Sequence, residues 1–231
     1  MKNIPDGGKQ LPEEAQFLSK QVQRRSFLKY AGASAATVAL VAAGCKKDSN
    51  DSGVSFGSKD TAILNYAYAL EQLEAAFYIK VLTGPYSNMT DNEKSLLTDI
   101  RDHEIAHREL FKTAIGNDAI PALEVDFSSI NFTSRDSVLA TAKAFEDLGV
   151  SAYNGAGQYL ESGDYLTLAG KIVSVEARHA ALIRDLISNG SFADNTVVDA
   201  MGLDKSRSPR EVLSIAQAYI VTELNIQNLP G

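Results

Sequence analysis

Two of the three histidines in this 231-residue chain follow a glutamate by three residues, in Glu104-Ile-Ala-His107 and Glu176-Ala-Arg-His179. On an α-helix, residues i and i+3 share a face, so each pair would present a carboxylate and an imidazole in one direction. Both pairs lie inside long stretches of helical pattern. Side chains placed this way on facing helices are metal ligands in helix bundles, so the first expectation is an all-α bundle with a metal-binding core.

Four such stretches can be traced. Small and apolar residues recur at helical spacing from Thr61 to Leu82, until Gly84-Pro85 stops them. Thr90-Asp91-Asn92-Glu93 has the form of a capping box and opens a second run ending at Gly116-Asn117. Residues 117–133 show no helical period and contain Pro121, which predicts a long crossover that returns the third helix parallel to the second. The third helix is capped at Thr133-Ser134-Arg135-Asp136 and reaches about Leu160; the fourth runs from about Tyr165 to Ser188, with Gly190 as its stop. Residues 191–208 read as loop, and Pro209 to Thr222 as a short fifth helix.

The first 60 residues are set apart from this frame. Gln23-Arg24-Arg25-Ser26-Phe27-Leu28-Lys29 resembles a twin-arginine export signal, and the Ala-rich stretch from Tyr30 to Gly44 is too short to span a bilayer, which takes about 20 residues. The only cysteine, Cys45, follows Val41-Ala42-Ala43-Gly44, which is similar to a lipobox with Ala42 in the usual leucine position. Residues 1–44 are expected to be a lipoprotein signal, Cys45 to carry the lipid, residues 45–60 to form a flexible tether, and residues 61–231 to form one domain. The expected destination is the cell envelope, as a periplasmic or surface lipoprotein delivered by the twin-arginine machinery. A single cysteine allows no disulfide within the chain. Residues 1–44 hold six Lys/Arg and three Asp/Glu, so the net charge of −7 for the whole chain becomes −10 without them, which argues against nucleic-acid binding.

Glu71 and Glu146 each fall on the core-facing phase of a helix, where an unpaired carboxylate would cost several kcal/mol, about what any buried unpaired ion costs. The two helix pairs repeat one another. Glu71 lies 33 residues before Glu104, Glu146 lies 30 before Glu176, and each lone glutamate has a tyrosine seven residues later, Tyr78 and Tyr153. Pseudo-twofold symmetry is implied.

With these residues in place, the stretch from Ala62 to Asn189 resembles the ferritin-like superfamily of dinuclear-metal carboxylate proteins. The segments Leu70–Tyr78 and Phe145–Ala156 look like the bacterial ferritin-like group that includes desiccation-related proteins. The resemblance implies a ferritin-like four-helix bundle in which Glu71, Glu104 and His107 supply one half of a site and Glu146, Glu176 and His179 the other, with Glu104 and Glu176 bridging. It implies two divalent ions, the oxygen-and-nitrogen donor set suiting iron or manganese better than calcium. Glu74 lies on nearly the same face as Glu71 and is a rival ligand, a group just behind the ligands, or surface. Tyr78 and Tyr153 read as bundle core before redox groups, and a phenol near a bridging carboxylate could donate it a hydrogen bond. His103 points about 100° away from Glu104 and reads as surface, with contact just behind the ligands as the lesser alternative.

The function implied is redox chemistry with oxygen or peroxide, or Fe(II) oxidation, on a membrane-tethered protein. Two rivals stand beside it: a non-catalytic envelope or stress protein that retains the bundle, and a surface lipoprotein that binds carbohydrate or a partner. The oligomeric state is open.

Overall fold

Four long helices make up most of the described part of the chain, residues 52–231 in a computed structural model: α1 (Lys59–Thr83), α2 (Asp91–Ile115), α3 (Arg135–Ala156) and α4 (Gly163–Ile187). Arg24, Arg25 and Cys45 lie outside the described residues. Each start has a local cause. Thr90 accepts from the Glu93 amide at 3.1 Å while Glu93 accepts from the Thr90 amide at 3.3 Å, closing the expected capping box on α2. Ser134 and Ser162 cap α3 and α4 by accepting from the amides three residues on.

Contacts between helix ends set the chain directions. Arg135, at the start of α3, donates to Glu93 at the start of α2 at 2.7 Å and to the Leu186 carbonyl at the end of α4 at 2.7 Å. Asp60, in the first turn of α1, accepts from the amides of Glu161 and Ser162, where α4 begins. α2 and α3 therefore start at one end of the bundle, and α1 and α4 at the other. That arrangement requires the long connection between α2 and α3, as its lack of helical period predicts.

Two buried amides of α1 hold this crossover in place. The Asn65 side chain donates to the Asp118 carbonyl at 2.9 Å and accepts from the Ile120 amide at 2.8 Å; Gln72 accepts from the Leu123 amide at 2.9 Å. These bonds satisfy backbone groups that the non-helical connection would otherwise leave buried and unpaired. Phe127 then inserts into an aromatic cluster with Phe77 and Phe132. Covered by α2, α3, the crossover and the C-terminal segment, α1 is buried on almost every side from Ala62 to Ala75.

Three boundaries differ from the sequence reading. The tether expected to reach residue 60 ends earlier, because β1 (Val54–Ser55) pairs in parallel with β2 (Leu224–Asn225) and Phe56 is buried. The third helix stops at Ala156, and a 3-10 turn at Gly157–Tyr159 replaces its expected last turn. The fifth helix, α5 (Pro209–Ala216), ends short of Thr222 in a second 3-10 turn, Gln217–Tyr219. Gly155 allows the approach to α5: a Cβ there would lie 1.7 Å from the Arg207 carbonyl oxygen, so only glycine lets the loop before α5 lie on α3. Among the described residues no helix is long and apolar enough to cross a membrane.

Candidate metal centre

One residue position on each of α1 and α3, and an i, i+3 pair on each of α2 and α4, converge in the middle of the bundle. Glu71, Glu104, Glu146 and Glu176 are all 0% exposed. Nδ1 of His107 lies 3.0 Å from Glu176 Oε1, 3.5 Å from Glu71 Oε2 and 3.8 Å from Glu104 Oε2. Nδ1 of His179 lies 2.8 Å from Glu104 Oε1, 3.5 Å from Glu146 Oε2 and 3.7 Å from Glu176 Oε2. Glu104 and Glu176 thus turn one oxygen to each imidazole, whereas Glu71 faces only His107 and Glu146 only His179. The six residues form two overlapping groups, Glu71, Glu104, His107, Glu176 and Glu104, Glu146, Glu176, His179, each with its donor atoms within 4.8 Å of one another.

Despite these short separations the atoms do not satisfy one another. Eight buried polar atoms in this one place lack a properly directed hydrogen bond: Glu71 Oε2, both oxygens of Glu104, Glu146 Oε2, both oxygens of Glu176, and Nδ1 of each histidine. Buried polar groups are almost always paired, so eight unpaired lone-pair carriers aimed at a common region fit a set of cations. The second oxygens of Glu71 and Glu146 are accounted for, accepting from the hydroxyls of Tyr153 and Tyr78 respectively.

The electrostatics of the six side chains alone run the same way. Burial opposes charge on His107, but Glu104, Glu176 and Glu71 outweigh it and push the imidazole up to about 12. His179 is likewise raised to about 12 against its burial, by Glu104, Glu146 and Glu176. Burial lifts Glu146 to about 7, and it lifts Glu104 well above the usual carboxylate range with help from Glu176. Glu176 resists burial because both histidines flank it, and it falls to about 2. The two imidazoles and Glu176 hold one another ionised while Glu104 and Glu146 are pushed toward their neutral forms, a shortage of positive charge that divalent cations would make good in place of the protons.

Glu74 is buried at 4% exposure yet belongs to neither group, which distinguishes it from Glu71 on the same helix. His103 is exposed, as expected, but it also touches the site. Its Nδ1 lies 2.8 Å from His179 Nε2, and the two rings stack at 9° with centroids 5.1 Å apart. Whether His179 Nδ1 carries a proton toward the carboxylates or would give its lone pair to a metal, Nε2 is the protonated nitrogen on the other side of the ring and donates to His103. A cross-helix contact of this kind leaves no trace in the spacing along one helix. A cavity of about 490 Å³ between α3, α4 and the loop before α5 is lined by none of the six converging residues.

A helical bundle with two Glu-x-x-His pairs and two lone glutamates meeting in its core has the donor pattern of the class of helix-bundle proteins that bind divalent metal through carboxylates and histidines. The family comparison agrees: the ferritin-like domain matches residues 59–189, more than half the chain, and the protein belongs to that family. Residues 21–41 match the twin-arginine translocation pathway signal sequence, so the protein is one exported by that route. No curated protein matches the chain.

Proposed function

We propose that this is an exported, lipid-anchored ferritin-like protein that holds two iron or manganese ions and uses them for redox chemistry with oxygen or peroxide, or for Fe(II) oxidation. The observation behind this reading is the convergence of eight unpaired, buried donor atoms from six residues on four helices. Glu71 and His107 would hold one ion, Glu146 and His179 the other, with Glu104 and Glu176 shared. A pair of adjacent redox metals supplies two-electron exchange with oxygen species.

The protein supplies orientation and exclusion of water. Tyr78 and Tyr153 each fix one oxygen of a terminal glutamate and leave the other free. His103 fixes the ring of His179. The four glutamates and the two tyrosines bonded to them are buried, which strengthens every charge interaction in the site. Residues 1–44 are proposed as the export signal and Cys45 as the lipid attachment point, tethering the bundle through residues 46–53.

The test is to load the full chain with Fe(II) or Mn(II) and follow Fe(II) oxidation and peroxide consumption. Turnover that is lost in Glu104→Gln and Glu176→Gln supports the reading. A folded chain that binds two metals and turns over neither substrate would move it to a non-catalytic envelope protein.

A further inference from the structure

The two halves of the bundle are not equal around the centre. The offset of 75 residues that maps Glu71 onto Glu146 and Tyr78 onto Tyr153 maps Glu74 onto Gly149. One half has a third glutamate where the other has no side chain, and the two positions face each other. A Cβ on Gly149 would lie 3.1 Å from Glu74 Oε1 and 3.7 Å from Glu176 Oε2. Glycine inside a helix is less stable than alanine, so its presence in α3 needs a reason, and here the space it leaves is shared by two carboxylates. Glu74 is 96% buried by its 4% exposure, and among the described residues no hydrogen-bond donor reaches its carboxylate.

Glu74 and Gly149 also line a crevice between α1 and α3, walled by Leu70, Leu73, Phe145 and Leu148, with a volume of about 10 Å³. That is about the space one water needs. Five of these six residues are apolar or glycine, and the single charged group stands next to the bridging Glu176.

We infer that this crevice is the entrance by which divalent cations reach the centre, and that Glu74 is the carboxylate that receives them there and passes them to Glu176 across the gap left by Gly149. The inference rests on the dinuclear reading above. It adds to the four glutamates and two histidines a fifth glutamate whose work is delivery and not residence.

The experiment uses the full chain stripped with a chelator and Co(II) as the probe, reading both the final number of Co(II) bound and the rate of uptake by stopped-flow absorption. Glu74→Gln removes the charge; Gly149→Ala narrows the gap; Gly170→Ala, in α4 with nothing within 4 Å of its added Cβ, is the control. All four chains should bind two Co(II), with uptake slowed at least about tenfold in Glu74→Gln and Gly149→Ala, the scale on which a charged cleft accelerates ion arrival. Uptake at the parent rate in Glu74→Gln overturns the inference even if Gly149→Ala fails to fold, and loss of one Co(II) in Glu74→Gln overturns it by making Glu74 a resident ligand. A parent chain that binds no Co(II) contradicts the dinuclear reading itself, whereas two Co(II) taken up equally fast by every chain contradicts only the entrance.

Discussion

The Tyr153 hydroxyl, on α3, donates to Glu71 on α1, and the symmetric bond runs from Tyr78 on α1 to Glu146 on α3. Each lone glutamate is therefore held by a phenol from the opposite half of the bundle, so the pseudo-symmetry of the sequence is also a physical lock between α1 and α3. Burial keeps both phenols protonated, each raised well above the usual tyrosine range, as a donor to a carboxylate must be.

Tyr153→Phe should leave the helix content intact and weaken metal binding about 10–100-fold, the usual effect of losing a group that orients a ligand. In the chelated chain it should also cost about 1–3 kcal/mol, because Glu71 Oε1 is left buried without a donor. Competition titration against a chelator of known affinity and urea unfolding check the two effects. An unchanged affinity would mean that the phenol does not position Glu71.

The pH dependence of the chelated chain follows from the histidines. Both are raised in the folded state from an ordinary value near 6.5 to about 12. A raised imidazole stabilises fully below its unfolded value and loses that stabilisation as pH climbs toward the folded one. Chelated chain should accordingly be less stable to urea at pH 9 than at pH 6.5. Metal-loaded chain should lack this slope, since the ions displace both imidazolium protons, and loading near pH 7 in weakly buffered solution should release at least about two protons per chain, those of the imidazoles together with protons held on Glu104 and Glu146. A chelated chain whose stability is flat from pH 6.5 to 9 would refute the imidazolium–carboxylate account of the core.

At the bundle end the sign is opposite. Burial works against the Glu93 carboxylate, but Arg135 and the Thr90 amide outweigh it and lower it below its ordinary 4.5. Arg135→Ala should destabilise the fold by about 1–3 kcal/mol at pH 7, because a largely buried carboxylate loses its main partner. A lowered carboxylate gives stability that is present above the unfolded value and lost on acidification. The difference between Arg135→Ala and parent should thus shrink below about pH 4.5; a difference that grows there would contradict the pairing.

The lipid tether is tested through Cys45 alone. A Cys45→Ala chain should be exported yet recovered in the soluble fraction and unlabelled by a radioactive fatty acid. Retained labelling would place the anchor elsewhere.

The helices, the pseudo-symmetry and the six converging residues were legible in the sequence because each depends on local spacing: i, i+3 pairs, a 75-residue offset, and caps of serine or threonine. What depends on contacts between distant segments was not. The pairing of Val54–Ser55 with Leu224–Asn225 joins the two ends of the domain and has no local signature. Asn65 and Gln72 look like ordinary polar helix residues until the crossover lies on them. His103 reads as surface from its phase on α2, and only the packing of α2 against α4 brings it to His179. Glu74 could be separated from Glu71 only by geometry, although the glycine at the matching position in α3 was a clue in plain view.

The most direct measurement is the number of metal ions per chain, by elemental analysis of protein produced with both iron and manganese available, for the parent and for His107→Ala, His179→Ala and His103→Ala. The account predicts about two ions in the parent, most of them lost in the first two variants, and parent-like content in His103→Ala, whose imidazole faces His179 and not the carboxylates. A folded parent with no metal, or equal content in all four chains, would contradict it.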